Sequence, residues 1–500
     1  MWTRAFLGVS AAALLAFGAQ AQNLRIGLQE DPDQLDPDVG RTFVGRIVFQ
    51  SLCDKLVDIT PDLKIVPMLA TSWEWSGDGK SLLMKLRTDA KYHDGAPIDA
   101  ASVKVNLERS MTWKGSRRAS ELTSIAAVTA VDASTVKIDL KAPDATLMAA
   151  FTDRAGMMVS PKPAVEQEDK FALNPVCSGP YKFVERVVQD RMVLEKFKDH
   201  WNAKAFAFER VTFLPIPDNS VRLANVQSGD LQLIERVAPT DLKTVRADRR
   251  LKLSEAVGLG YQGITVNVGN GERSKTPFGQ DPRVRKAFEL SIDREALNQV
   301  VFEGEFLPGN QPWPPTSPWY VKSVPIPKRD VAAAKALLKE AGLTSIEVEM
   351  QAAPAPDDQQ VAQVLQSMAA EAGINLKIRT TEFATMLKEQ TAGNYQMTRV
   401  GWSGRTDPDG NIHTFMTCKG GINDSKFCDP KVDELLNKAR TVADVAERQK
   451  LYEQAIQILD GQRPIIYLYH GKWFYASRAN LEGFVAYPDG IIRLAGVTLK

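Results

Sequence analysis

Three apolar runs alternate with two amphipathic ones between residues 346 and 402, and this limits the fold more than any other feature. Residues 346–350, 374–379 and 395–402 read as strands. Residues 357–372, with a Val361, Val364, Leu365 and Met368 stripe, and residues 382–390 read as helices. A β-α-β-α-β order predicts a parallel sheet covered by helices, the α/β class. Helices flank it: Asp281-Pro282 and Asp429-Pro430 each open one with a carboxylate N-cap and proline at N1, and Asp330 caps another that Gly342 stops. A long helix over about 445–459 and a strand over 465–469 follow. The first half reads differently. Trp73 and Trp75 alternate with polar residues, Gly77-Asp78-Gly79 turns the chain, and Leu82, Met84 and Leu86 alternate on the way back. Two more hairpins of this kind are expected over 128–140 and 181–197, with one helix near 100–109.

In open parallel sheets, ligands bind outside the carboxyl ends of the strands. Two loops qualify, 351–359 and 403–410. Trp402 stands at the exit of the strand before the second, with Arg405 three residues on.

The first residues address the compartment. Arg4 precedes a short uncharged Ala- and Leu-rich run, and Ala19-Gln20-Ala21 forms a small-x-small exit. Residues 1–21 therefore read as a cleaved signal peptide. The run is shorter than the ~20 residues that span hydrocarbon. In an exported chain of 500 residues, four cysteines become informative. Cys418 and Cys428 flank the loop CKGGINDSKFC, and a local disulfide is the first expectation. Cys53 and Cys177 are then left to each other, and spacing alone leaves that pairing open. His93, His200, His413 and His470 are scattered, so no zinc centre is expected. The balance of 62 basic against 61 acidic residues argues against a nucleic-acid binder.

Catalytic and cofactor motifs fail on context. Gly258-Leu259-Gly260-Tyr261-Gln262-Gly263 spells G-x-G-x-x-G, but a strand-like run follows where a dinucleotide site needs a helix. Gly401-Trp402-Ser403-Gly404 starts like a nucleophile elbow, and its closing glycine falls on Arg405. No cofactor is called for. An exported hydrolase of peptides or glycans is the rival reading, and no nucleophile–base set or metal cluster is visible for it.

Several long segments resemble the extracytoplasmic solute-binding proteins of peptide/nickel-type ABC importers. They are PMLATSWEWSGDGKSLLMKLRTDAKYHDGAPIDAASVKVNLER, NPVCSGPYKFVE, DPRVRKAFELSIDREALNQVVFEGE and the AKALLKEAG helix. The end, WSGRTDPDGN through the two cysteines to PIIYLYH, is most similar to the dipeptide-binding branch. The resemblance implies a two-lobed periplasmic binding protein fold (type II, cluster C) with an extra β-rich sub-domain. Residues 22–60, 175–268 and 480–500 would form the first lobe, 61–174 the sub-domain, and 269–479 the second lobe. It also supports the Cys418–Cys428 disulfide and makes Cys53–Cys177 plausible. It implies a periplasmic monomer that closes on a small solute and docks on an inner-membrane ABC permease with its ATPase.

The same resemblance nominates ligand contacts at Trp402, Arg405, Asp407, Tyr261, Gln359, Arg41 and Glu235, with Tyr261 facing Trp402 from the other lobe. Two departures stand out. Dipeptide-binding relatives hold the peptide ammonium with an Asp where this chain has Arg405. They hold its carboxylate with an Arg near the start of a helix that here begins Asp357-Asp358-Gln359-Gln360. An Arg405 fork suits an anion; a one-residue gap would put Asp407 in the ammonium position instead.

Overall fold

A computed structural model describes residues 23–442 and 444–500; the expected signal peptide lies outside them. Two sheets dominate. The first has seven strands, in the order Leu251–Val257, Lys472–Arg478, Leu233–Ile234, Asn23–Leu28, Arg210–Pro215, Arg191–Lys196 and Tyr181–Val187. The second has six: Leu307–Pro308, Ile465–His470, Tyr261–Val266, Met397–Trp402, Ile346–Ala352 and Ile374–Thr380. Each carries its own hydrophobic core. A four-stranded antiparallel sheet, containing the Ala70–Trp75/Ser81–Leu86 and Ile125–Asp132/Thr135–Leu140 hairpins, packs under the helix Ala100–Thr112 as a third cored unit. The molecule is a two-lobed α/β protein with a β-rich sub-domain.

The alternating segment folds as its periodicity dictates. Ile346–Ala352 pairs in parallel with Ile374–Thr380, Ile346 opposite Ile374, and also in parallel with Met397–Trp402. The intervening helix Pro356–Glu371 starts with proline at N1 and buries Val361 and Leu365. Its chain reverses at Gly373, whose φ of 85° suits a residue without Cβ.

The lobes exchange chain at two short crossings, 258–260 and 471. Tyr261–Val266 pairs antiparallel with Met397–Trp402 and Ile465–His470, so it belongs to the second sheet. Lys472–Arg478 pairs with Leu251–Val257 and belongs to the first. The sheets therefore set the crossings earlier than the expected boundaries at 268/269 and 479/480. The reason is local: both sides of each crossing are strands, so period-2 patterning carries no mark of which sheet a strand joins. The glycines are the mark. A Cβ on Gly260 would fall 1.7 Å from the Trp402 carbonyl oxygen, and one on Gly258 2.8 Å from that of Gly471. The G-x-G-x-x-G string thus lets strands pass at close quarters.

Both disulfides are present. Cys53–Cys177 ties the end of the helix Phe43–Leu52 to the segment before Tyr181–Val187, and Cys418–Cys428 closes its loop.

Candidate functional site

The lobes enclose a cleft lined by residues of both. The first lobe contributes an aromatic wall: Phe43 and Trp473 stack with centroids 4.4 Å apart, and the Arg236 guanidinium lies 4.7 Å from the Phe43 ring. The second lobe contributes Trp402, edge-on to Phe415 at 4.9 Å. Trp402 is fixed by its indole N–H, which donates to the Gly410 carbonyl (2.9 Å) and Asn411 Oδ1 (3.1 Å).

Charge in the lining is balanced. Glu30, Asp357, Asp358 and Asp424 face Arg41, Arg236, Arg399 and Lys472. Arg41 pairs with Asp424 across the lobes at 2.6 Å. Arg399 holds both Asp358 and the Tyr469 hydroxyl. Lys472 lies 3.6 Å from Glu305, and Arg236 3.2 Å from Glu235 and 3.5 Å from Glu30. Burial pushes the Glu30 carboxyl up to about 7, although Arg236 opposes this. Asp357 is the lining carboxylate without an ion pair among the described residues. It accepts from Gln29 Nε2 across the cleft at 3.3 Å and sits in the first turn of Pro356–Glu371, where the helix dipole favours an anion.

Of the residues expected at the site, Trp402, Tyr261 and Arg41 line this cleft. Tyr261 sits directly opposite Trp402 in the same sheet, not on the other lobe as expected; the early crossing moves it. The other four lie outside the lining. Arg405 folds back over the Trp402 indole, 4.1 Å from the ring, and its Nε meets Asp153 of the sub-domain at 3.1 Å. Asp407 is held by Arg448 at 2.7 Å. Gln359 donates to the Ala353 carbonyl at 2.5 Å. Glu235, fully buried, accepts the Gln29 N–H at 2.6 Å and supports Arg236 from beneath. Sequence reasoning missed Phe43, Trp473, Arg236, Glu30, Arg399 and Asp424. The one available signal was at Asp357-Asp358, two acids in the first turn of a helix that follows a loop at a strand's carboxyl end.

No group of three or more metal-ligating side chains comes together among the described residues. None of the described helices is long and apolar enough to cross a membrane.

Known proteins resemble this arrangement along its whole length. The glutathione-binding protein GsiB of Pectobacterium atrosepticum is 29% identical, with 96% of this chain and 95% of the relative covered. The dipeptide-binding protein of Escherichia coli is 28% identical, covering 99% and 98%. Among solved structures, the dipeptide-binding protein of Pseudoalteromonas sp. in complex with Met-Leu superposes with a TM-score of 0.89 at 25% identity, covering 96% of this chain and all of that one. The binding protein AgaA of A. tumefaciens with agropinic acid gives 0.88 at 27%, covering 96% and 99%. Residues 64–423 match the description "Bacterial extracellular solute-binding proteins, family 5 Middle", and the chain belongs to that family of solute-binding proteins.

Proposed function

We propose that this chain captures a small peptide-like solute bearing groups of both charge signs, in the periplasm, and presents it to an inner-membrane ABC permease with its ATPase. The observation that carries the reading is the cleft between the lobes, with aromatic walls and four carboxylates facing four cations. The four cations are already met by Asp424, Asp358, Glu235 and Glu305, so a solute carboxylate adds a second partner to them rather than a first. Asp357 is the natural partner of a solute ammonium, being the lining carboxylate outside an ion pair. The GsiB and dipeptide-binding relatives support the same ligand class by their names.

Closure works by binding. Contacts that span the lobes exist only in the closed form, and a solute that adds to them shifts the population toward it. Arg41–Asp424, Gln29–Asp357 and the Arg46 donation to Ser403 Oγ at 2.7 Å are such contacts. The test combines native mass spectrometry of the co-purified solute with calorimetry against di- and tripeptides, glutathione included. Saturable binding with the peptide recovered intact supports the reading. Release of cleavage products would favour a hydrolase, and no binding to any member of the set would refute the ligand class.

A further inference from the structure

A second, much smaller cavity shares Trp402 with the main cleft, and its wall holds Arg405 and Arg440 together with Glu121, Asp407 and Asp409. Next to Arg405, outside the cavity lining, three more arginines come together from separate parts of the chain, so that four are clustered. Arg46 comes from the helix Phe43–Leu52, Arg118 from the residue before Ala119–Glu121, Arg154 from the turn Arg154–Gly156, and Arg405 from the loop after Met397–Trp402. Their side chains are 5%, 0%, 0% and 10% exposed. Two carboxylates answer them. Asp153 meets Arg46 at 2.5 Å, Arg405 at 3.1 Å and Arg154 at 3.6 Å, while Glu121 takes Arg118.

The nearby acids do not close the deficit. Asp409 is matched by Arg440, and Asp407 by Arg448. Asp36 and Asp38 share Arg109, and their surplus charge bears on Arg118, but burial and Asp36 push Asp38 up to about 6. Positive charge is left over either way. Burial, and then the neighbouring Arg46, push Arg405 down to about 9; burial and Arg118 lower Arg154.

Hydrogen bonding shows the same shortage. Arg46 Nε, Arg118 Nε and Nη2, Arg154 Nε and Nη2, and Arg405 Nη2 are buried and make no hydrogen bond. Each has lost water without gaining an acceptor. Six such atoms in one cluster, beside a cavity, describe a site short of both negative charge and oxygen acceptors. A carboxylate or phosphate supplies both, and a guanidinium fork binds either bidentately.

We infer that the Arg46–Arg118–Arg154–Arg405 cluster receives an anionic group of the solute, a carboxylate or phosphate, at the Trp402 end of the cleft. This rests on the peptide-like solute proposed above and narrows it to an acidic one.

The test uses a matched pair, γ-Glu-Ala and 4-aminobutanoyl-Ala, which both carry an ammonium and differ by one carboxylate. Calorimetry on the mature protein should show γ-Glu-Ala binding at least tenfold tighter. Arg405→Asp should abolish or reverse that preference. Arg405→Gln, which adds no like charge beside Asp153, should reduce it below twofold and serves if the first variant does not fold. Equal or tighter binding of 4-aminobutanoyl-Ala to the wild type, or a preference that survives both substitutions, overturns the inference while leaving the peptide-like reading in place. If neither compound binds, the fault lies with the solute class, and inorganic phosphate then decides the cluster. Phosphate should raise the melting temperature above that in chloride at equal ionic strength, and Arg405→Gln should lose the rise. No rise in the wild type overturns the anion site as well.

Discussion

Arg41→Ala isolates the cost of holding the lobes together. Arg41 Nη2 donates to Asp424 Oδ2 at 2.6 Å, and Nη1 donates to Thr391 Oγ1 at 2.6 Å and to the Leu387 carbonyl at 3.1 Å. Every one of these bonds runs from the first lobe to the second. The two charged side chains are 9% and 4% exposed. Truncating one member of such a pair costs ~2–5 kcal/mol, most of it from leaving the other charge buried and unpaired. Asp424 keeps some company, because it bears electrostatically on Arg117, so the lower part of that range, about 2–3 kcal/mol, applies. The cost falls on the closed form alone, since opening hydrates Asp424. Affinity for any captured solute should therefore drop about 30- to 150-fold, with melting of the solute-free protein nearly unchanged. Isothermal calorimetry on the single variants and on Arg41→Ala/Asp424→Ala gives the coupling. The double variant should bind no worse than Arg41→Ala, because it leaves no orphaned carboxylate. Affinity of Arg41→Ala within threefold of wild type, or losses that simply add, would refute the latch.

Three more outcomes can be checked directly. Glu30, pushed up to about 7 from an ordinary 4.5 chiefly by burial, holds a proton when folded that the unfolded chain releases; stability is thus greatest below pH 4.5 and falls as pH rises to 7, by roughly 2–3 kcal/mol. Glu30→Gln should remove that slope, so its melting advantage over wild type should grow from pH 5 to 8; a constant offset would count against it. Cys418→Ser/Cys428→Ser should destabilise by ~2–3 kcal/mol through a freer unfolded chain, and denatured, unreduced wild type should show no titratable thiol. Trp402 and Trp473 both line the cleft, so a solute-induced fluorescence change should shrink in each Trp→Phe variant and vanish in the double; a change that survives there comes from another tryptophan.

The parallel ladder of the second lobe was legible because its signals are local. The 3.6-residue stripe of 356–371 and the flanking apolar runs each lie within one element, and Ile346, Ile374 and Met397 enter one sheet as the alternation requires. The crossings were not legible, since Leu251–Val257 and Tyr261–Val266 are both strands and only the backbone contact at Gly258 and Gly260 separates their sheets. The cleft was least legible of all. Phe43, Arg236, Trp473 and Asp424 come from four distant segments, and each is ordinary in its own neighbourhood. Arg236 even takes a left-handed φ of 52° without being glycine, a geometry that no local pattern announces.

Arg405 shows what a sequence can and cannot carry about one residue. Its place after Trp402 marked it as a charged group near the solute, which a sequence can carry. What the sequence could not carry is Asp153, brought up by the β-rich sub-domain. Asp153 also holds Arg46, and Arg46 reaches back to Ser403, two residues before Arg405. The sub-domain, the first lobe and the second lobe thus meet in one chain of charged and polar contacts at Arg405. An aspartate at 405 would face Asp153 at close range and work against closure. The positive charge at 405 is therefore tied to the sub-domain contact through Asp153, which Arg46 shares.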